Sequence, residues 1–481
     1  VAIKDGKIVA VGAVAGTAAT RIDARGLVVA PGFIDVHTHS DDLVEKLPLS
    51  EHFLRMGVTS LVVGNCGGSN LEVGAFFARL EKTGVAPNVA TLIGHNTVRR
   101  KAMGGTFDRV PTEAEMAEMK RLVDRAMQEG AVGLSTGLIY LPGTFAKTEE
   151  IVELARAVAP YDGLYVSHMR SESAKIGEAI DELLRVAREA GVRAEVSHIK
   201  LSGERAWGQA DKILAQLDRA RAEGVRVKQD QYAYTASSTG ISQLIPDEAF
   251  DGGREKFLER LADPETKARI VAKMKASILG RGRMDYAYAV VASFRGDVTL
   301  NGMNIVEAAR KLRGSDSLED QIEVILEIER RGGASGVFHG MNEEDLRKFM
   351  QHPLTMIASD SGERVFGEGV PHPRGYGNNA RVLARYVREE KVLTLEDAVR
   401  KMTSLPAEHF HLRGRGRLAP GHAADVVVFD PEKVADPSTF KDPHHYAVGF
   451  SDVLVNGVAV IRGGELTGAR PGRALRHVKP E

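Results

Sequence analysis

Residues 32–40 read GFIDVHTHS, a short apolar run that ends in two histidines one residue apart. Side chains alternate along a strand, so His37 and His39 fall on one side and can face a single cation. Apolar runs with polar residues at their carboxyl side recur at 59–64, 89–94, 132–135, 164–168, 193–198, 225–230 and 355–360. Helical stretches lie between them, clearest at 113–128, 175–190 and 210–223, where apolar residues return every three or four positions. This alternation is the mark of parallel βα units, and eight such strands close a TIM (β/α)8 barrel, an α/β fold. The carboxyl ends of all eight then meet on one face, where barrels carry their chemistry.

Both chain ends carry a different pattern. Alternating segments flank Asp5-Gly6, and 453–455 meets 458–461 across Asn456-Gly457, two pairs suited to hairpin turns. With the β-branched run at 425–429, residues 1–30 and 411–481 are expected to build one small β domain around a barrel at 31–410. The stretch between the seventh and eighth runs is long and has helical segments of its own at 254–261 and 318–331. An insertion at about 244–301, placed as a lid over the carboxyl face, is the economical expectation. Val1 already lies inside an alternating apolar pattern and is not a methionine, so the native chain is expected to begin further upstream.

Composition removes several classes of function. The 481 residues hold 64 basic and 65 acidic side chains, and this balance offers no global field for nucleic acid or anionic lipid. No apolar stretch reaches the roughly 18 residues of a membrane span and the start has no signal-peptide pattern, so a cytoplasmic protein is expected. One cysteine excludes an intrachain disulfide.

The reactive side chains cluster at the run ends. Cys66 closes the second run, His168 the fifth, His198 the sixth and Asp360 the eighth, joining His37 and His39 of the first. Singly, a cysteine is usually a small buried apolar residue and a strand-end aspartate a turn residue. Six potential ligands on one rim are better read as a metal centre.

These residues also carry a family resemblance. PGFIDVHTHSD, HMR, SHIK and ASDSG resemble the amidohydrolase superfamily. GNCG, GLSTGLIYLPGTFAKTEE, GLYVSHMRSE, DQYAYTASST and HPRGYGNNARVLARYV look like the N-acyl-D-amino-acid deacylases, or D-aminoacylases, over nearly the whole chain. Superfamily members with two bridged metals use a carboxylated lysine at the end of the fourth strand. Here that place reads VGLSTG, with Ser135 and Thr136, and Cys66 matches the thiolate that takes over in the deacylases. The resemblance implies a metal-dependent barrel with a β-sandwich from both chain ends, an inserted lid and a further amino-terminal strand. It implies Zn2+ at one tight site made by Cys66, His168 and His198, and a second, weaker position surrounded by His37, His39 and Asp360.

The implied reaction is hydrolysis of an N-acyl-D-amino acid to a carboxylate and a free D-amino acid. Asp360 is the expected general base, taking a proton from water and returning it to the leaving nitrogen. Lys200, Tyr232, Ser237 and Arg374 match the family's carboxylate-binding positions, and an arginine fork suits a carboxylate. Phe338, His339 and Met341, just before the last run, are candidates for an apolar side-chain pocket. His95, at the end of the third run, has a structural role as its alternative. Two other functions stay open at this stage: an amidohydrolase acting on a cyclic imide, an N-acyl-L-amino acid or a dipeptide, and a non-catalytic barrel.

Overall fold

The computed structural model describes residues 1–41, 46–105 and 107–479. Eight parallel strands form the barrel: Phe33–Asp35, Val58–Val63, a third in two segments at Asn88–Thr91 and Ile93–Gly94, Gly133–Gly137, Leu164–His168, Arg193–Val196, Val227–Gln231 and Thr355–Ile357. The first segment of the third strand pairs with strand two, and the second segment pairs with strand four. Strand eight pairs with strand seven, and a parallel bridge from Thr38 to Ser361 closes the ring at the carboxyl rim.

The helices between the strands follow the sequence periodicity. Glu113–Gln128 begins at a capping box in which Thr112 accepts from Glu115 N–H and the Glu115 carboxylate accepts from Thr112 N–H. Its Met119, Leu122, Val123, Ala126 and Met127, at helical spacing, are buried against the outside of the barrel. Inside, Val62, Leu92, Leu164, Val166, Met356 and Ala358 form one apolar cluster with Leu405, Phe410 and Leu412.

The chain ends meet as expected. A five-stranded sheet joins Val28–Pro31 to Val426–Phe429, Phe450–Val455, Val458–Arg462 and Glu465–Leu466. The amino-terminal hairpin, Ala2–Lys4 with Lys7–Ala10, is bridged to it from Lys7 to Ala423.

Between strands seven and eight lies a compact unit with its own three-stranded antiparallel sheet, Ala236–Gly240, Ser335–His339 and Ala289–Ser293, in that order. Its core gathers Phe257, Met274, Leu300, Ile322 and Ile325 from loops and helices. This unit contains the segment 244–301 and extends past it on both sides. ASSTG, its first strand, has no apolar alternation, so sequence pattern gives that boundary no signal.

Candidate metal centre and substrate cavity

Glycines shape the seat of Cys66. A Cβ on Gly137 would stand 2.1 Å from Cys66 O, and one on Gly94 would stand 2.3 Å from Gly67 O, so the strand ends pack directly on the GNCG backbone. Ser135 Oγ accepts from Gly67 N–H at 3.1 Å and donates to Gly64 O, tying that loop to strand four. Three of the candidate residues leave their strands through the left-handed region: Cys66 at φ 52°, His198 at φ 36° and Asp360 at φ 52°. Such backbone costs on the order of 1–3 kcal/mol per residue and persists where its surroundings over-determine it, as at functional sites.

The side chains converge. Cys66 Sγ lies 3.6 Å from His168 Nδ1, 3.7 Å from His198 Nε2 and 3.3 Å from His37 Nε2. Asp360 Oδ1 is 3.1 Å from His39 Nε2 and 3.5 Å from His37 Nε2. Three sets, His37 with His39 and Cys66, Cys66 with His168 and His198, and His37 with His198 and Asp360, each hold their donor atoms within 4.8 Å. Two ligands at zinc–sulfur and zinc–nitrogen lengths on a tetrahedral ion stand about 3.5 Å apart, and the separations of Cys66 from His168 and His198 match that. The donor set therefore fits zinc.

Outer partners aim these ligands. Asp230 accepts from His37 Nδ1 at 3.3 Å and from His198 N–H at 3.0 Å. Glu172 lies 3.0 Å from His198 Nδ1 and pairs with Lys200, whose Nζ is 2.9 Å from the same nitrogen. With Nδ1 so engaged, Nε2 of His198 is turned to Cys66. Burial raises the Cys66 thiol, but the neighbouring imidazoles outweigh it and hold the group well below the usual thiol range. Burial likewise works against the charge of Asp360, yet Arg374, His198 and His37 keep it well below ordinary carboxyls. Desolvation opposes charge on His39 as well, and Asp360 with Cys66 nevertheless raises it to about 9. Thiolate and carboxylate together attract positive charge to this spot.

The rim opens into a cavity of about 1320 Å3, lined on one side by Asn65, Cys66 and Tyr140 and on the other by Lys200, Ser237 and Phe338. His39, His168, His198 and Asp360 also line it. Of the other expected site residues, Tyr232 is buried with its hydroxyl 3.6 Å from Met341 Sδ, and Arg374 stacks on the Tyr232 ring at 4.6 Å. Arg374 Nη1 lies 2.7 Å from Asp360 Oδ2, and the guanidinium sits behind that carboxylate rather than in the cavity wall. His339 points away from the cavity and packs 4.8 Å from the Phe440 ring, because it alternates with the inward Phe338 on one strand. Met341 packs into the apolar cluster beneath Tyr232. His95 is buried on Glu150 at 2.7 Å, outside the metal cluster.

Four residues not singled out in the sequence matter here. Asp230 ends the seventh run and Glu172 follows His168 by four positions, so a search for carboxylates near each ligand would have found both. Asp35, which accepts from Ser359 N–H and His37 N–H, ties strand one to strand eight. Tyr140 lies edge-on to His168 with ring centroids 4.9 Å apart, and its hydroxyl accepts from Thr239 Oγ1 at 3.1 Å.

A cluster of candidate metal ligands at the carboxyl rim of such a barrel, roofed by an insertion, defines a class that comparison identifies: the chain belongs to the amidohydrolase family, whose model matches residues 20–461. Within it the similarity is to N-acyl-D-amino-acid deacylases. An N-acyl-D-glutamate deacylase of Alcaligenes xylosoxydans xylosoxydans is 36% identical, over 99% of this chain and 92% of that protein. The solved N-acyl-D-glutamate deacylase of Bordetella bronchiseptica, complexed with zinc and a phosphonate mimic of the tetrahedral intermediate, superposes with a TM-score of 0.83 at 34% identity, covering 98% of this chain and 94% of that one. A D-aminoacylase studied for its binuclear metal centre, in which one metal activates and the second attenuates, gives a TM-score of 0.83 at 32% identity with the same coverage.

Proposed function

We propose that this chain hydrolyses the amide bond of N-acyl-D-amino acids, releasing a carboxylate and a free D-amino acid. The observation that carries the reading is the convergence of Cys66, His168 and His198 beside Asp360 at the floor of the cavity. Cys66, His168 and His198 would hold the tight zinc, and His37, His39 and Asp360 would surround a second, weaker position. Zinc bound there supplies Lewis acidity, which polarises an acyl carbonyl and lowers the pKa of water towards about 7.

The chain's own groups do the rest. Asp360, kept ionised against burial, takes a proton from the attacking water and gives it to the nitrogen as the C–N bond breaks, since an amine leaves poorly unless protonated. Arg374 braces the far oxygen of Asp360, which supports a positioning role in place of the direct carboxylate clamp expected from the sequence. The substrate carboxylate is assigned to Lys200 and Ser237 on the cavity wall, with Tyr232 packed behind. Tyr140 stays a phenol, because burial and then the charge of Cys66 push it well above its usual range. Since its oxygen accepts from Thr239, its O–H remains available to donate to the acyl oxygen.

The test is one purification and one panel. Metal analysis should find zinc on the chain, and racemic N-acetyl-methionine should release D-methionine in a chelator-sensitive reaction. Release of L-methionine alone, or inertness of the zinc-loaded protein on every N-acyl-D-amino acid, would overturn the proposal.

A further inference from the structure

The wall that the insertion gives to the cavity is cationic, and most of the cavity's remaining charge is already neutralised. Lys200 is already assigned to the α-carboxylate, Arg170 is paired with Glu182 and Lys273 with Glu248. Arg283 differs. Its guanidinium lies over the Tyr288 ring, 4.3 Å from the centroid, and is about one-fifth exposed. The carboxylate recorded nearest to it is the largely exposed Glu204, at 4.0 Å, and its one main-chain contact is a long 3.5 Å bond to His339 O.

Arg283 and Tyr288 both line the cavity, as do Arg205 and Arg281 beside them. Arg205 spends one nitrogen on Gly280 O and has no ion pair recorded among the described residues. The wall is continuous with the metal rim: Ser202 N–H donates to Glu172 O at 2.7 Å and Gly203 N–H to Gly340 O at 2.7 Å, and these four residues line the same space. A stacked guanidinium is pre-organised for a planar anion, because its fork is held in place before the ligand arrives.

We infer that Arg283, braced on Tyr288, is a second carboxylate-binding position and that the favoured substrates are N-acyl-D-amino acids with an acidic side chain. This inference rests on the deacylase reading and adds the substrate class to it. The α-carboxylate end stays with Lys200 and Ser237; the side-chain carboxylate reaches across to the inserted wall. Arg283 acts on binding and takes no part in proton transfer.

The probe pair is N-acetyl-D-glutamate and N-acetyl-D-glutamine, which share their shape and differ in side-chain charge. For the zinc-loaded protein, kcat/KM should favour the glutamate by about ten- to hundredfold, the range of one charge-assisted contact. Arg283→Gln should bring that ratio close to one, with the loss appearing in KM, and Arg283→Lys should recover part of it. A wild-type ratio at or below one, or a ratio unmoved by Arg283→Gln, overturns the inference and leaves the deacylase reading standing. An Arg283-dependent preference for N-succinyl-D-alanine with none for N-acetyl-D-glutamate overturns it too, by moving the second carboxylate to the acyl group. Inactivity on every N-acyl-D-amino acid removes the deacylase reading and this inference together.

Discussion

The barrel rim and the inserted wall face each other across one cavity, and they fix their side chains by different means. On the rim, Cys66, His168, His198 and Asp360 come from four separate strand ends: His168 pairs in the ladder with Gly137, Gly137 packs on the Cys66 backbone, His198 N–H donates to Asp230 and Asp360 N–H donates to His37 O. Their surroundings leave them little choice of position: His198 and Asp360 are buried, and carboxylates behind the imidazoles set the ring orientations. On the inserted wall, Arg283 and Tyr288 are partly exposed and lie on the approach to a strand rather than at a converging set of ends. Chemistry is thus placed where the backbone is over-determined, and selectivity where a side chain can change without disturbing the barrel.

Substitutions can break that contrast. The largest effect is expected from Cys66→Ala. Zinc per chain should fall to near zero and turnover to background, read by metal analysis and a D-amino-acid release assay on the same preparation. Full zinc with full turnover would take the thiolate out of the centre. Asp360→Asn comes next. It should keep metal at Cys66, His168 and His198 while lowering turnover by about 10²–10⁴-fold, the range of general acid–base catalysis. Glu172→Gln probes one layer further out. Weakening the partner of His198 Nδ1 should cost about 10–100-fold in zinc affinity or activity, measured by titration against a competing chelator. An unchanged affinity and rate would show that Lys200 alone orients His198.

Much of the barrel is legible in the sequence because each strand end joins an apolar run to a polar residue, a one-dimensional signal. His37, Cys66, His168, His198 and Asp360 could each be placed on the rim from such runs, since a parallel barrel brings all carboxyl ends together. Partners that act through space carry no such signal. Asp230 was visible as a strand end, yet its contact with His37, 193 positions away, exists only in the closed barrel. Arg374 illustrates the same limit: its type suits a carboxylate, and only the fold decides that the carboxylate beside it is Asp360. The insertion is the least legible region. Its strand ASSTG has no alternation, and its cavity-facing residues belong to no periodic set.

The smallest effect, and the sharpest test of the contrast, is expected from Phe338→Leu. Phe338 faces the cavity from the inserted sheet, pairs in register with Ser237 across the strands and approaches Tyr288 at 6.4 Å between ring centroids. It lies 8% exposed in the insertion's own apolar cluster, so a smaller apolar side chain keeps most of the packing and opens space on the cavity side. A change of this size in an apolar contact shifts substrate discrimination by about tenfold, the low end of what one methylene is worth in an apolar pocket. The expected result is a change in the relative kcat/KM for N-acetyl-D-leucine and N-acetyl-D-phenylalanine, with zinc per chain unaltered. If the substitution lowers zinc content instead, the inserted wall and the metal rim are mechanically coupled and the division between them fails. If neither zinc nor selectivity moves, Phe338 is a packing residue of the insertion and the side-chain pocket lies nearer to Arg283.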